Sequence, residues 1–175
     1  MSNLIQAVES GDFMAVTMAI ASGEDVNQLD ENGRSALMYA AFNGLVEIIV
    51  ILISSDADVN QLSGAGTNPL DYACKNGQME AAKLLIGHEA KMIEGEVSLM
   101  FACDTGNEEM VSFLLKQGID ANMKQETGMT PLIQASWKGY VSIVRILIEN
   151  GADVNFKPGR VSALQMASTS KHEEN

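Results

Sequence analysis

The residues of this 175-residue chain that could do chemistry are few and scattered. Its two histidines, His88 and His172, lie far apart, and neither falls in an HExxH or nucleophile-elbow pattern. No GxxxxGKS/T loop offers a cradle for phosphate. Glu108 and Glu109 are adjacent carboxylates. They read as the acidic opening of a helix, favourable with its dipole, rather than as an acid/base pair. Cys74 and Cys103 lack the paired Cys/His spacing of a zinc site. These residues give no catalytic set, no cofactor site and no metal site, so the sequence predicts a protein that is not an enzyme.

The elements that carry these residues repeat. Leucines open successive helices at Leu4, Leu37, Leu70, Leu99, Leu132 and Leu164, spaced by 33, 33, 29, 33 and 32 residues. A small-residue step follows each: Ala7, Ala40-Ala41, Ala73-Cys74, Ala102-Cys103, Ala135-Ser136, Ala167-Ser168. Then comes a glycine, at Gly11, Gly44, Gly77, Gly106 and Gly139, and then an aliphatic run. Asp25-Val26-Asn27, Asp58-Val59-Asn60, Asp120-Ala121-Asn122 and Asp153-Val154-Asn155 close four of the copies. Each copy reads as helix, glycine turn, second helix and extended loop. In the fifth, Thr130 is placed to cap a helix with Pro131 in its first turn, where the missing N–H costs nothing. Leu132, Ala135 and Ser136 lie at i, i+3, i+4 and face the stack. Ile143, Val144, Ile146, Leu147 and Ile148 form the apolar side of the second helix. Such helix pairs cannot bury their faces alone, so neighbouring repeats bury them for each other.

Composition agrees with thin helical layers. Hydrophobic residues make up 46% of the chain but aromatics only 5%. No apolar run approaches the roughly 18 residues of a membrane span. Met1-Ser2-Asn3 opens no signal-like segment, which predicts a cytoplasmic protein or one exported without a cleavable signal. The net charge is −12 and uneven: residues 1–66 carry nine acids and one base, whereas residues 129–160 carry two acids and four bases. Phosphate backbones want clustered Lys and Arg, so nucleic acid is disfavoured. An acidic N-terminal half would steer a basic partner, or simply keep the chain soluble.

A period near 33 in this form resembles the ankyrin repeat. The clearest copy is Gly128-Met129-Thr130-Pro131-Leu132-Ile133-Gln134-Ala135, closing at Gly151-Ala152-Asp153-Val154-Asn155. The resemblance implies an all-α solenoid of about five and a half helix-turn-helix repeats with projecting loops. A single domain over 1–175 would hold repeats at 2–33, 34–66, 67–96, 97–128 and 129–160, with a partial copy at 161–175. Equivalent helices of adjacent repeats pack roughly 8–10 Å apart, too far for the roughly 7 Å of a disulfide, so Cys74 and Cys103 read as buried reduced thiols in place of alanine. His88 ends a second helix as a solvated or capping imidazole. Tyr39 and Tyr72 fall where the family has a buried leucine and are expected in the core. Asn27, Asn60 and Asn155 resemble sites of asparaginyl hydroxylation, although their main work is loop hydrogen bonding.

The departures from the pattern carry expectations of their own. Ser2 takes a helix-capping position in a first copy that lacks an incoming hairpin. Asp56 and Glu89 replace the second glycine, at about 1 kcal/mol or more each if the left-handed geometry is kept. The third outgoing loop is four residues short, which predicts a gap in the row of loop tips flanked by Met92 and Glu96. The sixth copy ends without a second helix. That predicts partial exposure of Ile143, Ile146 or Leu147, fraying from Ser168, and weak self-association of an otherwise monomeric protein.

In ankyrin-like proteins the partner contacts come from the loop tips and from the two residues before the first glycine. On this chain the resemblance assigns those roles to the pairs Phe42-Asn43, Lys75-Asn76, Asp104-Thr105 and Trp137-Lys138. The loop residues are Glu31, Asn32 and Arg34, then Ala65 and Thr67, then Glu96, then Thr127 and Met129. Phe42 and Trp137 stand out as large rings at a usually exposed position, as in interface hot spots. The function expected is non-catalytic binding of another protein, of basic character, through a concave face and loop tips. Two alternatives are a targeting domain of a larger protein, and an acidic inhibitor, immunity-type or effector protein that blocks a basic site. Nucleic acid and membrane are not expected partners.

Overall fold

Four side chains set where the first helices begin. The side-chain oxygens of Ser2, Ser35, Asn68 and Thr130 accept from the backbone N–H groups of Ile5, Met38, Asp71 and Ile133 at 3.0–3.3 Å. Each supplies a partner to one of the donors that a helix start leaves without one. Pro69 and Pro131 follow two of these caps, where a missing N–H is harmless. In the computed structural model, which describes residues 2–91, 97–125 and 127–157, the helices are α1 (Asn3–Glu9), α2 (Phe13–Ala21), α3 (Ala36–Asn43), α4 (Val46–Ser54), α5 (Pro69–Lys75), α6 (Met79–Gly87), α7 (Val97–Thr105), α8 (Glu108–Lys116), α9 (Pro131–Lys138) and α10 (Val141–Glu149). The chain forms two compact units, Met1–Met92 and Ile93–Asn175.

In the first unit α1, α3 and α5 pack side by side, and so do α2, α4 and α6. Ala40, Ala41, Ala73 and Cys74 are completely buried, so small side chains let α3 and α5 approach. Leu37, Ile49, Leu52, Leu70 and Leu85 fill the space between the two rows. Burying each such side chain stabilises by about 1.5–3 kcal/mol. In the second unit α7 packs on α9 and α8 on α10, around Leu99, Met110, Leu114, Ile133, Ile143 and Leu147. Ile143 and Leu147 are fully buried and Ile146 is half-buried, while Ile148 is exposed. The apolar side of α10 is therefore narrower than its aliphatic run suggested. Cys103 is buried, and burial pushes its thiol up to about 12, so it stays protonated at neutral pH.

The turns keep their geometry even where the residue changes. Asp56 and Glu89 adopt φ of 66° and 63°, the left-handed conformation that glycine takes elsewhere in the pattern. The fold imposes the turn and the side chain tolerates it. The closing asparagines link successive copies. Asn27 donates to the Asp56 carbonyl and accepts from Asp58 N–H, at 2.9 and 2.7 Å. Asn60 does the same with Glu89 and Lys91, and Asn122 with Gly151 and Asp153. Each amide thus satisfies a carbonyl and an N–H about 30 residues further on.

The loops between copies form short fingers with one bonding plan. Asp30 N–H donates to the Arg34 carbonyl, Ser63 N–H to that of Thr67, and Gln125 N–H to that of Met129. Two fingers of the first unit touch backbone to backbone: a Cβ on Gly33 would lie 2.5 Å from the Gly64 nitrogen, and Gly33 has φ 69°. Gly66 has φ 73° with nothing near its missing Cβ. Gly66→Ala should therefore lose only the left-handed preference, about 1–2 kcal/mol. Gly33→Ala should lose that and the finger contact, about 2–4 kcal/mol in all. Urea denaturation of both variants checks this, and equal losses would show that the fingers separate freely.

The shortened third loop, with Met92, Glu96 and the 161–175 copy, lies outside the described residues.

Candidate functional site

In the first unit the ends of α1, α3 and α5 and the base of the Asp30–Arg34 finger surround a cavity of about 400 Å³. Tyr39 and Tyr72, expected in the core, are half-buried and form its wall. They depart from the leucine pattern because each has a polar task. The Tyr39 hydroxyl donates to the Asp30 carboxylate at 2.7 Å. The Arg34 guanidinium carbon lies 5.8 Å from the Tyr39 ring centroid and 5.9 Å from that of Tyr72, within cation–π range of both.

Asp30 anchors this arrangement. Its Oδ1 accepts from the Asn32 and Arg34 N–H groups, both at 2.8 Å, which tightens the finger. Burial works against the Asp30 carboxylate. The Arg34 N–H, the Tyr39 hydroxyl and the Asn32 contacts together outweigh it and hold the pKa below its ordinary value. Burial, then the bond to Asp30, pushes the Tyr39 phenol up. A hydrogen bond to the Tyr39 hydroxyl is the main influence raising Arg34. Asp30, Tyr39 and Arg34 thus form a connected polar chain that fixes the guanidinium.

Several predicted binding residues meet at this cavity. Arg34, Phe42, Asn43 and Lys75 line it. Phe42 is half-buried, and its carbonyl accepts from Asn76 Nδ2 at 2.8 Å. Asn43 Nδ2 donates to the Tyr39 carbonyl. Glu31 and Asn32 are exposed at the finger tip. Ala65 is exposed on the next finger, and Thr67 is partly buried there with its hydroxyl 2.7 Å from that of Ser63. Thr67 is thus occupied by its own loop.

The second unit carries a different arrangement. Trp137 is 50% exposed near the C-terminal end of α9. Lys138 Nζ lies 5.8 Å from its ring centroid and 2.8 Å from Asp104 Oδ1 on α7. The same Asp104 oxygen accepts from Gln134 Nε2. The bond to Asp104 holds the Lys138 pKa above its ordinary value. Thr105 is exposed, its hydroxyl donating to the Phe101 carbonyl. Thr127 is exposed and Met129 half-buried on the finger of this unit. Glu96 lies outside the described residues. Among the described residues no three His, Cys, Asp or Glu side chains are grouped to hold a metal ion. No helix there is long and apolar enough to cross a membrane.

The residues missed from sequence were Tyr39, Tyr72 and Glu9, which also lines the first cavity. A signal existed for the tyrosines: a hydroxyl at a leucine position in two consecutive copies, downstream of an arginine at a finger base.

The repeated caps, glycine turns and asparagine links define a class of repeat protein. The family model described as "Ankyrin repeats (3 copies)" matches residues 4–96 and 87–158. The chain belongs to the ankyrin repeat family, whose members are generally protein–protein interaction modules. It is similar to the ankyrin repeat and KH domain-containing protein mask of Drosophila melanogaster, at 38% identity over 80 residues, which is 44% of this chain and 2% of that protein. The human ankyrin repeat and KH domain-containing protein 1 is 38% identical over 78 residues, 43% of this chain and 3% of its own length. The mouse protein phosphatase 1 regulatory subunit 27 is 46% identical over 59 residues, 34% of this chain and 38% of that protein. The chain spans only a small part of the first two relatives and about two fifths of the third.

Proposed function

We propose that this chain binds another protein without catalysing a reaction, working in the cytoplasm. The observation that carries the reading is Trp137. A ring half open to solvent contributes little to folding, yet Lys138, Asp104 and Gln134 hold its surroundings in place. Rigid aromatics of this kind dominate interface energetics. Phe42 and the pocket beside it offer a second contact area in the first unit. The charge of −12 favours a partner with a basic surface, whose association rate would fall as salt rises.

Capture from cell extract tests the reading. Wild-type bait and a Lys83→Gln control should enrich the same protein, because Lys83 pairs with its exposed helix neighbour Glu80 on the surface of α6. Bait carrying Phe42→Ala and Trp137→Ala together should lose it. Equal recovery on all three baits would move the site to the acidic residues of the first two copies.

A second reading has one support, the likeness to a phosphatase regulatory subunit. In it the chain holds a catalytic protein rather than a scaffold component, and the captured protein's own activity would distinguish the two.

A further inference from the structure

The cavity of the first unit has a charge pattern unlike its surroundings. Residues 1–92 contain twelve acids and only four bases: Arg34, Lys75, Lys83 and Lys91. Two of those four, Arg34 and Lys75, line this one cavity. Lys83 pairs with Glu80 on the surface of α6. Among the described residues no carboxylate lies within ion-pair distance of Arg34. Its partners are the two tyrosines.

A guanidinium held this way is a prepared anion receptor. Its planar fork matches a carboxylate bidentately, and the tyrosine contacts engage only part of its five N–H donors. The Asp30–Tyr39 bond fixes one wall, so little side-chain freedom remains to be lost on binding. Glu9 also lines the cavity and limits what enters. With Arg34 as the gripping cation, the carboxylates of Glu9 at the cavity and Asp30 behind Tyr39 oppose a doubly charged guest more than a singly charged one.

We propose that this cavity receives one glutamate or aspartate side chain from an extended segment of the partner protein, with Arg34 gripping the carboxylate between Tyr39 and Tyr72. This rests on the partner-binding reading and deepens it. In a body that otherwise repels acids, a single admitted carboxylate fixes the register of a bound segment. The partner segment is then basic or neutral except at that one position.

The test uses the full chain and three blocked heptapeptides in a glycine–alanine background. Their central residue is glutamate, glutamine or phosphoserine. The chain has three arginines, so the Arg34 side-chain Nε–Hε signal in a ¹⁵N spectrum is readily assigned with Arg34→Lys. Titration with the glutamate peptide should shift that signal, and the glutamine peptide should leave it in place. Arg34→Gln should weaken binding of the glutamate peptide at least about tenfold. Glu9→Gln should tighten it and admit the phosphoserine peptide, which wild type disfavours. Glu9→Gln keeps the argument testable if Arg34→Gln disturbs the finger. An unmoved Arg34 signal, an equal response to glutamine, or tighter binding of phosphoserine by wild type would overturn the proposal. Loss of the captured partner from the Phe42→Ala, Trp137→Ala bait alongside any of these results would leave partner binding standing and reject only the carboxylate pocket.

Discussion

Asn68→Ala should destabilise the first unit by about 2–3 kcal/mol, more than the removal of any other side-chain helix cap among the described residues. Asn68 is 1% exposed and works in three directions. Its Oδ1 accepts from Asp71 N–H at 3.0 Å, and its own N–H donates to Asp71 Oδ2 at 2.9 Å, closing a capping box. Its Nδ2 donates to the Lys91 carbonyl at 2.7 Å, tying the start of α5 to the far end of the same copy, beyond α6. Alanine removes the cap and the tie together and leaves the Asp71 N–H in a dry place. Ser35→Ala is the control, because the Ser35 side chain accepts only the Met38 N–H and should cost about 1 kcal/mol. Chemical denaturation of both variants, followed by helical circular dichroism, measures the difference. Equal losses would mean that the bond to Lys91 contributes nothing.

Trp137→Ala should weaken partner binding by about 2 kcal/mol, roughly thirtyfold, with little change in melting temperature. The expectation divides α9 between two tasks. Leu132, Ile133 and Ala135 are buried and hold the helix in its unit, whereas Trp137 faces water over half its surface. Removing the ring leaves the Lys138–Asp104 pair and the Gln134–Asp104 bond intact. If the variant instead unfolds the second unit and binds normally once refolded, the ring is a packing element and the site lies elsewhere.

Much of this architecture is legible in the sequence because it is local and periodic. A cap such as Thr130 followed by Pro131 states its role within four residues. The glycine turns repeat so regularly that the sequence marks Asp56 and Glu89 as departures with a cost if the turn is kept, and the structure keeps it. The finger pocket is a different matter. Tyr39 looked like a large residue at a buried position. Its partners are Asp30, nine residues upstream, and Arg34, at the finger base. Periodicity describes what each copy shares, and this polar chain depends on what one copy does differently. The same holds for Asp104 and Lys138. Both were assigned to the binding face as separate charges, and the structure pairs them across α7 and α9. The cross-copy tie of Asn27 to Asp56 and Asp58 joins residues about 30 positions apart, a contact that only the packed unit reveals.

Trp137 is the only tryptophan in the chain, so its fluorescence reports directly on the face at issue. The decisive measurement is its emission spectrum during titration with the captured partner, with complex formation followed independently by sedimentation. If the partner covers this face, the half-exposed indole leaves water, and its emission should move to shorter wavelength and become less accessible to an aqueous quencher. An emission maximum and quenching constant that stay unchanged at saturating partner, while sedimentation shows the complex fully formed, would contradict the account.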